Sequence, residues 1–355
     1  MTLRFWTWLP LTALVLAWSA GAENPQGVRP PKLPHISPDL SEAEAQALPP
    51  LAQPVALHDT LSGLKEGTLD ERIAKLKVKV FRDLIFMRGG TFMMGDFGPM
   101  WSPDGLPYTI EKNTKPVHKT TLTSFSISRY KTTYAEYDVY LDATAQPHLD
   151  GKATPRRNAF VPAGMTWYQA KDYCQWLGKQ TGLALDLPTE AQWEYAARSR
   201  GQFFLFGTDN GSLDFGRNID DYNQLKFIRP ASDNVDIWGK HPQVWDYPVG
   251  MFPPSPMGLY DMNSNNEEWT NDWYADDYYK SSPEMNPQGP SSGRWKVTRS
   301  TITGEGPSGM NNVMRHRSDT TVAINLITGE KVPSSPAWFA VRCVANVDRP
   351  VDSKN

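Results

Sequence analysis

Leu187-Pro188-Thr189-Glu190-Ala191-Gln192-Trp193-Glu194-Tyr195-Ala196-Ala197-Arg198 is the stretch whose reading decides the fold. A helix starts after Pro188, and Thr189 with Gln192 makes a capping box. The threonine hydroxyl accepts the N3 amide proton, and the glutamine side chain returns to the N-cap amide. The helix carries Trp193, Ala196 and Ala197. Two helices upstream open with the same device, Thr133-x-x-Glu136 and Thr166-x-x-Gln169. The second of these places Ala170, Tyr173, Cys174 and Leu177 on one face and stops at Gly178 or Gly182. Between and after the three helices lie short strands and long loops, with no βαβ rhythm and no repeat period. Long loops inside one compact domain need a metal, a disulfide or dense aromatic packing to hold them.

Working outward towards the N-terminus, Phe81 to Met94 reads as a strand, a Gly89-Gly90 turn and a second strand, and the main domain begins there. Leu64 to Val80 is amphipathic, with Leu69, Ile73, Leu76 and Val80 on one helix face. Residues 23 to about 55 are rich in proline, which favours an extended tether. Arg4, the apolar run Phe5 to Ala20 and the site Ala20-Gly21-Ala22 read as a cleaved secretory signal peptide. The expected organisation is a signal peptide over residues 1–22, a proline-rich arm plus amphipathic helix over 23–80, one domain over 81–346 and a polar tail over 347–355.

The charge is close to balanced, with 36 Lys plus Arg against 39 Asp plus Glu and no basic block, which argues against nucleic acid. Thirty prolines, 26 glycines and 13 tryptophans describe a loop-rich chain whose aromatic side chains do much of the burying. Only two cysteines occur, Cys174 and Cys343, without the C-x-x-C spacing of a redox or zinc site. In an exported protein they can form one disulfide.

Further strings converge on a known family. They are Phe81-Arg82-Asp83-Leu84 to Gly89-Gly90-Thr91-Phe92-Met93-Met94-Gly95, Pro116-Val117-His118 to Tyr134-Ala135-Glu136-Tyr137, and Gly164-Met165-Thr166-Trp167 to Cys174-Gln175-Trp176-Leu177. Downstream come Gly258-Leu259-Tyr260-Asp261-Met262-Asn263 to Glu268-Trp269-Thr270-Asn271-Asp272-Trp273-Tyr274, Asn286-Pro287-Gln288-Gly289-Pro290 and Phe339-Ala340-Val341-Arg342-Cys343. With the opening stretch, these resemble the formylglycine-generating-enzyme-like (sulfatase-modifying factor) family over about residues 81–346. The resemblance implies an α+β fold with little regular secondary structure, related to C-type lectins.

The resemblance also shows where this chain departs. Active members carry two cysteines after an Arg-Gly-Gly-Ser stretch, and closely placed thiolates make a soft copper site. The equivalent stretch here, Val297-Thr298-Arg299-Ser300-Thr301-Ile302-Thr303-Gly304-Glu305-Gly306, has neither cysteine. Cys174 and Cys343 match the family's structural disulfide instead. His35, His58, His118, His148, His241 and His316 are scattered, with no His-x-x-x-His pair, so neither copper nor iron is expected. A structural Ca2+ is. By position the family's ligands fall on Asp261, Ser264 (carbonyl), Asn266 and Glu268, a stretch dense in hard oxygen donors. A second calcium loop begins at Asn218-Ile219, its acidic ligand being one of Asp220, Asp233 or Asp236.

Residues 304–336 lie where the catalytic segment would be. Met310, Met314, Arg315 and Arg317 there form a candidate partner surface. Aromatics in polar loops add to it: Trp101, Tyr108, Trp238, Trp245, Tyr274, Tyr278 and Tyr279, beside Asp276-Asp277. The chain further resembles an exported, cysteine-lacking branch of the family associated with bacterial type VI secretion. That implies a periplasmic, non-enzymatic regulator whose partner is the periplasmic domain of a transmembrane Ser/Thr kinase, with an outer-membrane lipoprotein as a second candidate. The competing expectations are a periplasmic oxidative or tailoring enzyme of exported metabolites and a calcium-dependent glycan-binding module.

Overall fold

Threonine caps set the helix starts. In the computed structural model, which describes residues 54–148, 157–213, 218–219, 247–300, 311–320, 322–324, 331–333 and 339–351, the helices are α1 Pro54–Gly63, α2 Leu69–Asp83, the single turn α3 Gly98–Trp101, α4 Tyr134–Ala143, α5 Trp167–Thr181 and α6 Glu190–Ala197. Thr133, Thr166 and Thr189 close capping boxes with Glu136, Gln169 and Gln192, as the spacing predicts. Thr68 and Glu71 close a fourth, at the start of α2. Helix α5 ends at Gly182, whose φ of 76° suits a residue without a Cβ.

The strands are β1 Leu84–Met87, β2 Gly90–Met94, β3 His118–Leu122, β4 Phe125–Ser128, β5 Leu185–Asp186, β6 Glu267–Trp273, β7 Trp295–Arg299, β8 His316–Asp319, β9 Val322–Ile324, β10 Lys331–Pro333, β11 Phe339–Ala340 and β12 Val344–Ala345. They form two four-stranded sheets, β1-β4-β12-β5 and β11-β6-β7-β8, and two separate pairs, β2-β3 and β9-β10. The first sheet is antiparallel throughout, and β11 runs parallel to β6. The α+β expectation holds.

The expected hairpin across Gly89-Gly90 does not form. β1 pairs with β4 and β2 with β3, so the glycines carry the chain from one sheet to another. A Cβ at Gly89 would collide with the backbone of Leu122 to Ser124, which packs directly against it. Close backbone approach, rather than a tight turn, is what this glycine serves.

The amphipathic helix expected before residue 80 packs on the body. Leu57 and Leu61 of α1, Leu64, and Leu76 and Val80 of α2 are buried in one cluster with Tyr137, Tyr173 and Leu177. The buried Lys79 ammonium meets Asp83 at 3.0 Å and Glu136 at 2.8 Å. The two N-terminal helices thus pack on the body and bury their apolar residues there. Val347 and Val351 of the expected polar tail pack on the same cluster. The signal peptide and nearly all of the proline-rich arm lie outside the described residues.

Cys174 of α5 and Cys343, just before β12, form the disulfide, with Cα atoms 5.6 Å apart across 169 residues of sequence. A second cluster packs Phe92, Phe125, Trp193, Tyr195 and Leu259 between β2, β4 and α6. Among the described residues no helix is long and apolar enough to cross a membrane.

Candidate functional site

The loop before β6 is built on left-handed backbone: Asp261, Asn265 and Asn266 have φ of 58°, 58° and 82°. Asparagine tolerates that region better than most residues. Side chains hold the loop in place. Asn265 bonds the Tyr247 carbonyl at 2.9 Å, and Asn263 donates to Asn312 Oδ1 at 3.0 Å. The turn aims the carbonyls of Ser264 and Asn266 inward, and between them sits the ammonium of Lys131. Its Nζ donates to Ser264 O at 2.7 Å and to Asn266 O. Glu268 Oε1 lies 3.4 Å away, both side chains being fully buried.

Lys131 reaches this point from the segment between β4 and α4, which is pinned on both sides. Arg129 O accepts from Tyr260 N at 3.1 Å, and Thr132 N donates to Val341 O at 2.8 Å. Burial lowers the Lys131 pKa to about 8, against the pull of Glu268, so the side chain is a cation at neutral pH. Burial also pushes Glu268 up, but Arg342 and Lys131 outweigh it and hold the carboxylate below its usual range. Arg342 grips Glu268 with two bonds of 2.7 and 2.9 Å, and Trp193 Nε1 donates to it at 3.0 Å. Burial raises Asp261 to about 6. Asp261 Oδ2 accepts from Gly250 N at 2.9 Å, while Oδ1 has no partner.

Three of the four residues predicted to hold calcium, Ser264, Asn266 and Glu268, are therefore brought together, but around an ammonium. As arranged they do not fit a calcium ion, because its place is taken. A divalent ion about 4 Å from a unit positive charge is repelled by about 8 kcal/mol at an effective dielectric constant of about 20. No cluster of three or more His, Cys, Asp or Glu side chains suited to a metal occurs among the described residues.

Of the second loop, Asn218 and Ile219 are buried. The Asn218 amide donates to Asp209 Oδ1 at 2.9 Å, Asn210 Oδ1 at 3.2 Å and Ser212 O at 3.0 Å. Asp220, Asp233 and Asp236 lie outside the described residues.

Where β7 ends, the chain delivers Arg299 into a buried ion network. Its guanidinium bonds Glu190 at 2.8 Å and Glu194 at 3.0 Å. Arg315 grips the same Glu190 at 2.6 and 2.9 Å, and Arg198 bonds Glu194 at 2.8 Å. Tyr279 adds a hydroxyl bond to Glu190 at 3.2 Å. Burial pushes Glu190 up, and Arg315 and Arg299 pull it further down, to a net lowered pKa. Asp272 accepts from Glu190 N at 2.8 Å, and burial with the neighbouring Glu190 charge raises it to about 7. Burial, then Arg299, depresses the neighbouring His316 to about 4. Both of the chain's cysteines are spent in the disulfide, so no thiol stands near this strand end.

The expected partner surface is divided by the fold. Arg315 is 2% exposed and belongs to the network, which corrects its placement on a surface. Met314 is half-buried, and Met310 lies outside the described residues. Arg317 is exposed; its guanidinium lies 4.7 Å from the centre of the Trp295 ring and 4.0 Å from Asp276. Asp276 and Asp277 are exposed as expected, but Tyr274 and Tyr279 are buried. Trp101 stacks on Phe203 at 4.9 Å, and Trp238 and Trp245 lie outside the described residues. Sequence reasoning missed Lys131, Glu190, Glu194 and Arg299 as site residues. The signal for Lys131 was its position two residues before the capping threonine of α4.

The model of the sulfatase-modifying factor enzyme 1-like domain matches residues 70–331. Among curated relatives, the serine/threonine-protein kinase pkn1 of Chlamydia caviae is 29% identical over 241 residues, covering 62% of this chain and 33% of the kinase. The chain thus spans about a third of the length of that kinase. The formylglycine-generating enzyme of Streptomyces coelicolor is 27% identical over 276 residues, covering 61% of this chain and 77% of the enzyme. Among solved structures, PvdO from Pseudomonas aeruginosa superposes with a TM-score of 0.52 at 25% identity, over 74% of this chain and 94% of PvdO. The match begins at residue 70, inside α2, in keeping with that helix's burial in the body. The chain belongs to the FGE-sulfatase family of sulfatase-modifying factor enzyme 1-like domains.

Proposed function

We propose that this chain is a periplasmic, non-enzymatic regulator that promotes activation of a transmembrane Ser/Thr kinase in the threonine-phosphorylation pathway of type VI secretion. The observation that carries this reading is the end of β7. There the family's cysteine pair is replaced by a chain without thiols, and Arg299 is committed to the buried Glu190 and Glu194. A domain of this family also occurs within chains named serine/threonine kinases, which supports a kinase partner. The resemblance of the whole chain to the type VI secretion regulator TagR supplies the pathway. The partner is the kinase's periplasmic domain, with an outer-membrane lipoprotein as a second contact, and the exposed face around Arg317, Trp295 and Asp276 is the first place to look.

The test is in-cell crosslinking of the tagged chain followed by mass spectrometry, with kinase phosphorylation read in a deletion strain. Recovery of the kinase domain and loss of threonine phosphorylation on deletion are expected. Unchanged phosphorylation sinks the proposal. The match over 77% of the Streptomyces formylglycine-generating enzyme favours a second reading, an oxidative or tailoring enzyme. Stoichiometric copper or iron in the purified chain would bring that reading forward.

A further inference from the structure

We infer that Lys131 is a built-in cation that replaces calcium in the loop before β6, so that this chain holds its fold there without a metal. The inference stands apart from the regulatory reading and from any enzymatic one. Its ground is coincidence of position. The residues to which the family resemblance assigns calcium are Asp261, Ser264, Asn266 and Glu268. The Lys131 Nζ bonds two of them through their carbonyls, Ser264 O at 2.7 Å and Asn266 O, and lies 3.4 Å from the carboxylate of a third. An ammonium has three protons to donate and a charge of +1. Here those protons face the oxygens that a hard cation would otherwise collect.

The surroundings are built for this arrangement. Lys131 is 0% exposed, so its charge was taken out of water to reach the loop. A buried ammonium is tolerated only with partners that satisfy it. The two carbonyls are aimed by left-handed backbone at Asn265 and Asn266, so the loop is preformed around the ammonium. Glu268 is meanwhile gripped by Arg342 at 2.7 and 2.9 Å and by Trp193 at 3.0 Å, which leaves its oxygens oriented by fixed donors. The stem of Lys131 also ties the segment before α4 to the loop before β6, two stretches more than 130 residues apart. A tethered cation has no dissociation step, so the loop stays closed in calcium-poor surroundings. Any binding by this chain is then independent of calcium at this loop.

The experiment uses the full mature chain. Wild type, Lys131→Ala and Lys131→Gln are dialysed against EDTA, then against 5 mM calcium chloride, and each is assayed for bound calcium and melting temperature. A calcium at the Asn218-Ile219 loop is common to all three and cancels in the difference. The alanine variant is expected to melt about 5 °C or more below wild type in EDTA. In calcium it is expected to bind one calcium per chain more than wild type and to recover about half of that loss. Equal calcium content and equal calcium shifts in wild type and both variants overturn the inference. A crystal structure of the wild type grown in calcium serves where the variants fail to fold. The ammonium between Ser264 O and Asn266 O supports the inference, and a metal ion there with Lys131 displaced overturns it.

Discussion

Arg315 lies against Glu190 in a two-bond grip, Nε 2.6 Å from Oε1 and Nη2 2.9 Å from Oε2, with both side chains withdrawn from solvent. The pair joins the segment before β8 to the first turn of α6, 125 residues apart. Removing one member of a buried, hydrogen-bonded pair leaves the other charge without compensation and costs about 3–5 kcal/mol. Arg299 retains part of the partnership with Glu190, which places Arg315→Met near the lower end. Arg317→Ala, two residues on, removes an exposed contact and is expected to change stability by less than about 0.5 kcal/mol. Urea unfolding of the two variants checks the contrast, and equal losses would show that burial does not separate them.

The Cys174–Cys343 bridge closes a loop of 169 residues. The chain-entropy model assigns such a bridge about 5 kcal/mol, less any strain in the native state. The double variant Cys174→Ala, Cys343→Ala is expected to lose about 2–5 kcal/mol, and reduction of the wild type to bring its unfolding midpoint close to that of the variant. A reduced wild type as stable as the oxidised one would contradict this.

Asp272 carries a pH dependence of its own. Burial, with Glu190 beside it, raises its folded pKa to about 7, against about 3.9 for a free aspartate. Between those values the native state binds more protons than the unfolded chain, so this residue's contribution becomes less favourable as pH rises from about 4 to about 7. Asp272→Asn keeps an oxygen to accept from Glu190 N and removes the charge. At about 1.4 kcal/mol per pKa unit, the variant is expected to be more stable than wild type by about 2–4 kcal/mol at pH 8. The gain should fade towards pH 4. Denaturation midpoints of both proteins across this range are the check, and a difference that does not move with pH would refute it.

At the start of α6, Thr189 Oγ1 accepts from Gln192 N at 3.1 Å, and Gln192 Oε1 accepts from Thr189 N at 3.0 Å. Thr189→Ala breaks one half of the box and is expected to cost about 1 kcal/mol. The same helix carries Glu190 and Glu194, so loosened placement should show as faster hydrogen exchange at the amide of Gln192. Exchange at wild-type rates would mean that the ion network alone sets this helix end.

Local pattern determined much of this protein. The threonine boxes and a glycine stop on α5, at Gly178 or Gly182, were readable because each depends on residues within one or two turns. The family motifs named the disulfide and assembled the residues of the loop before β6. What only the tertiary structure decided has a common physical cause: contacts between stretches far apart in the chain. Gly89-Gly90 read as a hairpin turn because a turn and a crossover between sheets ask for the same residue, and only the Leu122 backbone beside it distinguishes them. Arg315 read as surface because a charged side chain in a polar loop is normally solvated, and Glu190 was needed to bury it. The packing of α2 on the body was not legible because the partner for its apolar face lies on α4 and α5. The oxygen donors of Asp261 to Glu268 are plain in the sequence, but the charge that meets them is not. Lys131 stands 130 residues before Asp261, and folding alone carries its ammonium into the loop.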